Sequence, residues 1–155
     1  MDRKLNIADP EELMEPLLEL VKEGETVPLV ISGSSMTPFL VHHRDTVYLS
    51  KVSRPLKKGD MILYRRRNGA YVLHRICAVR EGTYDLVGDA QTLIEPGICP
   101  EQVLALVTAV RRKGKLLQGS SFWWRFFENV WIRMIPLRPW IMGLYRRVFH
   151  INKEA

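Results

Sequence analysis

Cysteine is scarce in this sequence. Cys77 and Cys99 are too few to staple a chain of 155 residues, and neither lies in a Cys-x-x-Cys or histidine-rich spacing that would hold zinc. Both are expected to be free, buried thiols. Histidine is equally sparse. His42 and His43 are adjacent, so on a strand they would face opposite ways and could not share a metal ion. Neither a metal nor a cofactor is expected. The first residues, Met1 to Asp9, are polar and contain no apolar core of signal-peptide length, so export by that route is not expected. Internal repeats and low-complexity linkers are also missing.

A hydrophobic share of 46% with 26% charged residues excludes both a disordered chain and a protein of many membrane spans. The length suits one domain with an appendage. Charge is unevenly placed. Residues 111–155 hold ten Lys and Arg against Glu128 and Glu154, or +8, which leaves −2 of the total +6 for residues 1–110.

Three regions follow from the hydrophobic pattern. Residues 1–24 are an N-terminal helix: Asp9 caps it, Pro10 fills the first helical position, and Glu11 and Glu12 suit its positive end. Leu13, Met14, Leu17, Leu18 and Val21 form its apolar stripe and Gly24 stops it. Residues 25–115 change to short β-branched runs at 27–31, 46–49, 61–64, 70–79, 84–87 and 103–110, which predict strands of a curled antiparallel sheet. Asn68-Gly69 predicts a type I′ hairpin turn between 61–66 and 70–79. Residues 116–155 hold all four tryptophans and four of the five phenylalanines. Arg125, Glu128, Arg133 and Arg138 interrupt that apolar stretch too often for a spanning helix. Residues 121–151 therefore predict one or two aromatic, basic helices on an anionic membrane surface, or docked on protein. Nucleic acid is not expected, because tryptophan and arginine alternate as in an interfacial helix.

The chemistry centres on Ser32-Gly33-Ser34-Ser35-Met36-Thr37-Pro38, which leaves a strand through small residues and ends at a proline. It resembles the nucleophile box of the signal-peptidase and LexA-like serine peptidases, where a serine directly precedes Met-x-Pro. That resemblance makes Ser35 the nucleophile, with the backbone N–H groups of Ser35 and Ser34 as the oxyanion hole. Serine needs a base. Tyr71-Val72-Leu73-His74-Arg75-Ile76 is similar to the segment carrying the histidine base in the endoplasmic-reticulum and archaeal enzymes, which implies His74. Gly59-Asp60-Met61-Ile62 and Gly88-Asp89-Ala90-Gln91 resemble two further boxes of the family, in the family's order, so the likeness spans roughly residues 17–110.

Two acids compete to orient His74. Asp89 belongs to the second Gly-Asp box and is favoured for a site role; Glu95 falls near a second acid of the histidine-type enzymes. There the acid is aspartate followed by arginine or a polar turn, whereas this chain reads Ile94-Glu95-Pro96, so Glu95 either orients the base or is a loop carboxylate. The chain also differs in having Gly33 where lysine-type enzymes carry a serine, and the family's usual N-terminal anchor is not expected. Arg65-Arg66-Arg67 reads as a solvated hairpin tip. The resemblance implies a serine endopeptidase with a leader, signal or precursor peptide as substrate. The absence of an export signal, together with the basic amphipathic C-terminal region, predicts a cytoplasmic protein peripheral on the inner face of the membrane. The alternative is a non-catalytic protein of the same fold that binds a peptide or membrane partner.

Overall fold

The computed structural model describes residues 10–151. An eight-stranded antiparallel sheet lies between an N-terminal helix and a C-terminal helical segment. The strands are β1 (Val27–Val30), β2 (Thr46–Ser50), β3 (Met61–Arg65), β4 (Tyr71–Val79), β5 (Tyr84–Val87), β6 (Glu95–Ile98), β7 (Val103–Arg112) and β8 (Lys115–Leu117). They pair in the order β1-β2-β7-β3-β4-β5-β6, with β8 added to β7. Two strands, β6 and β8, go beyond the sequence expectation. β6 reads Glu-Pro-Gly-Ile, which has neither the alternation nor the β-branched content of a strand.

Both faces of the sheet are buried. On β3, Met61 and Leu63 point into one core and Ile62 and Tyr64 into another, as the two-residue period of a strand requires. The first core receives the N-terminal helix α1 (Pro10–Lys22) through Met14, Leu18 and Val21. Leu13, expected in that stripe, is exposed, and Leu17 is only partly buried. The Asp9 cap lies outside the described residues.

The β3–β4 hairpin differs from a type I′ turn. Gly69 alone takes the left-handed conformation, at φ +93°, and its N–H donates to the Arg66 carbonyl at 2.9 Å. This is a turn across Arg67 and Asn68 closed by a left-handed glycine, and the longer loop lets Arg66 donate its N–H to Ala70. Cys77 and Cys99 are free, as expected, but half-buried. His42 and His43 occupy a turn, with rings stacked 3.5 Å apart, so the strand argument against a shared metal does not describe them. No metal-binding cluster occurs among the described residues.

The C-terminal segment is part of the domain. After α2 (Phe122–Arg125), π and 3-10 turns lead to α3 (Arg138–Ile151). Phe127, Trp131, Ile132 and Met142 are buried, and Phe127 stacks on Phe39 at 4.7 Å. Burying such side chains contributes about 2–3 kcal/mol each. Docking on the sheet accounts for these side chains, whereas Phe122, Trp123 and Trp140 stay exposed.

Candidate functional site

Ser35 and His74 line one cavity of about 280 Å³, together with Ile31, Ser32, Gly33, Tyr71, Leu73 and Gln91. Ser35 lies in a turn beyond β1, in which Thr37 N–H reaches the Ser34 carbonyl and Leu40 N–H reaches Met36. Gly33 enters that turn at φ +91°, where a side chain would be strained, and donates its N–H to His42 Nδ1 at 2.7 Å. The Ser35 N–H has no acceptor among the described residues. No hydrogen bond joins the Ser35 hydroxyl to His74. The two side chains line the same cavity with no hydrogen bond between them.

The second Gly-Asp box supports the serine from behind. Ala90 N–H donates to the Ser35 carbonyl at 2.9 Å, and a Cβ on Gly88 would stand 2.6 Å from that same oxygen. Only glycine allows this approach. The box is itself held by the C-terminal segment. Trp131 Nε1 donates to the Asp89 carbonyl at 2.8 Å, while Arg138 Nη1 donates to the carbonyls of Gly88 and Gln91, both at 2.9 Å. Arg138 is fully buried, its Nε has no partner, and burial lowers its pKa. These contacts were not legible in the sequence.

Asp89 does not orient His74. Its carboxylate takes a bidentate pair from Arg75, at 2.9 and 3.0 Å, with both side chains buried. Arg75 follows His74 on β4 and therefore faces the other side of the sheet, over the Phe39 ring at 5.5 Å. Its remaining Nη1 donates to the Gly59 carbonyl at 2.8 Å. Both Gly-Asp boxes thus meet at one buried guanidinium. Asp89 acts on the imidazole only at a distance.

Glu95 stands behind His74 through Tyr64, the last residue of the predicted strand run 61–64. Tyr64 donates its hydroxyl hydrogen to Glu95 Oε2 at 2.6 Å and lies 3.3 Å from His74 Nδ1. Glu95 is ionised: burial pushes its pKa up, but hydrogen bonds from Arg66 and Tyr64 outweigh that and hold it below the usual value. An ionised carboxylate only accepts, so Tyr64 must donate to it, and the phenolic oxygen is left to accept from Nδ1–H. His74 then keeps its lone pair on Nε2. Arg66 is no solvated tip, since Nε and Nη2 both reach Glu95 Oε2, at 3.2 and 3.0 Å.

Burial, followed by the positive charge of Arg66, pushes the His74 pKa down to about 4. The ring is neutral at pH 7 and available to accept a proton. A stability consequence follows from linkage. The unfolded chain takes up this proton near pH 6.5 and the folded one only near 4, so the folded state loses stability as pH falls through that window. The loss approaches about 3 kcal/mol by pH 4. Urea melts of wild type and His74→Gln should diverge between these pH values, with wild type falling more steeply. Parallel curves would mean that the imidazole is not held neutral.

Comparison with family models, curated proteins and solved structures finds no match. The functional reading therefore rests on the site itself.

Proposed function

We propose that this chain is a serine endopeptidase of the signal-peptidase and LexA-like type, acting on an extended leader, signal or precursor peptide. The observation that carries the reading is the shared cavity of Ser35 and His74, with Tyr64 and Glu95 fixing Nε2 as the free base. The cavity is lined by residues 71–74 of β4 and by the segment that follows β1. Among the described residues β1 pairs only with β2, and residues 71–74 of β4 pair only with β3, because β5 joins at Arg75. An extended peptide entering there can add as a strand and bring its scissile carbonyl to Ser35.

In that complex the Ser35 oxygen attacks the carbonyl carbon while its proton passes to His74 Nε2. The backbone N–H groups of Ser35 and Ser34 face the developing oxyanion. Collapse breaks the C–N bond as Nε2 returns the proton to the leaving amine. Water, deprotonated by the same nitrogen, then releases the acyl group from Ser35. Glu95 stabilises the transient imidazolium through the Tyr64 hydroxyl.

A second reading, a peptide-binding protein without hydrolysis, is favoured by three observations. Ser35 and His74 are not hydrogen-bonded, Arg75 holds Asp89, and Arg66 neutralises Glu95. A fluorophosphonate probe separates the two. Wild type should gain one covalent adduct, mapped to Ser35 by mass spectrometry, and Ser35→Ala should gain none. Failure of folded wild type to react, with and without bound peptide, would leave only the binding reading.

A further inference from the structure

The C-terminal segment is amphipathic on two sides, and only one of them is used by the fold. Phe127, Trp131 and Met142 face inward. Outward, Leu137 is 54% exposed, Trp140 83%, Leu144 65% and Val148 51%. Trp140, Leu144 and Val148, four residues apart, form one stripe along α3, and Leu137 stands in the turn just before it. Large apolar side chains aligned in this way are unusual on a face that meets only water.

The charge around the stripe selects its occupant. Arg147 lies three residues beyond Leu144 and seven beyond Trp140, within the stripe itself, and Arg133 is exposed in the turns that precede α3, whereas Arg146, four residues beyond buried Met142, lies on the other side of the helix. Residues 119–148 contain a single acid, Glu128, whose side chain is 15% exposed and 3.5 Å from Lys57 Nζ. A second copy of the chain would set arginine against arginine. An anionic lipid surface instead offers negative headgroups to the arginines and acyl chains to Trp140 and Leu144. Among the described residues no helix is long and apolar enough to cross a bilayer, which suits a helix lying in the interfacial plane.

We propose that α3 docks this stripe on an anionic lipid leaflet, with Trp140 and Leu144 inserted and Arg133 and Arg147 at the headgroups. The binding stands apart from the peptidase reading and needs no intact Ser35.

Co-sedimentation of the full chain with vesicles tests it. The protein should pellet with phosphatidylcholine–phosphatidylserine vesicles, remain in solution with phosphatidylcholine alone, and be released by salt. Replacing both Arg133 and Arg147 with Gln should weaken partitioning roughly tenfold or more. Trp140→Ala combined with Leu144→Ala should weaken it similarly. All four side chains are exposed, so unchanged melting temperatures will show that the variants fold. Equal binding to both vesicle types, or none to either, overturns the proposal. So does a wild-type dimer that dissociates when Trp140 and Leu144 are replaced, which would make the stripe a contact between copies.

Discussion

Asp89→Ala should lower unfolding free energy by about 3–5 kcal/mol, because it leaves the Arg75 guanidinium buried without its counter-ion. Arg75 is 1% exposed and Asp89 fully buried, so water cannot replace the lost partner. Arg138 adds a second cation in the same interior, and Asp89 is the anion that offsets both. Denaturant titration of wild type, Asp89→Ala and Asp89→Asn measures the effect, with Asn recovering part of the hydrogen bonding but none of the charge. A loss below about 1 kcal/mol, within the range of an exposed pair, would mean that the ion pair is not buried as described. The variant should also lose probe reactivity, as a by-product of a loosened Ser35 turn. Glu95→Gln supplies the contrast. Its partner Arg66 is 39% exposed, so removing that charge should change stability little.

The largest effect on reactivity should come from the base. His74→Ala should slow acylation of Ser35 by about 10²–10⁴-fold, the usual worth of a positioned general base. Tyr64→Phe removes one hydroxyl and keeps the ring packed among Leu56, Ile62 and Ile76. With Nδ1–H unpaired, the favoured tautomer and the link to Glu95 are both lost, and a decrease of roughly tenfold to a hundredfold is expected. The pH profile distinguishes positioning from packing. In wild type the acid limb of the acylation rate should fall near the His74 pKa of about 4, well below that of an ordinary histidine. Tyr64→Phe should move that limb, whereas a purely structural defect would lower the whole profile without shifting it. Reactivity unchanged in His74→Ala would remove the imidazole from the mechanism.

The β domain is legible in the sequence because its strands are buried in a regular way. β2, β3, β5 and β7 are β-branched runs bounded by turn residues, and each begins where the pattern places it. Chain reversal at Asn68-Gly69 is equally readable, although the turn type is not, since one left-handed residue suffices once the loop is longer. The site is less legible. Tyr64 closes the apolar run Met61–Tyr64 and reads as core, and its partner Glu95 lies 31 residues away in a strand with no strand pattern. Asp89 carries the stronger motif and yet serves Arg75, because the residue after a strand histidine must point the other way. Sequence spacing cannot tell which of two carboxylates a folded sheet delivers to an imidazole.

The donors supplied by Trp131 and Arg138 reach the Gly88–Gln91 turn across 42 to 50 residues of chain. Contacts of such separation carry a loop-closure cost that neighbouring residues do not. A polypeptide ending after β8 could complete its sheet but would leave three carbonyls of that turn without these donors. Order around Ser35 is therefore a property of the finished chain, acquired only when its last third folds back.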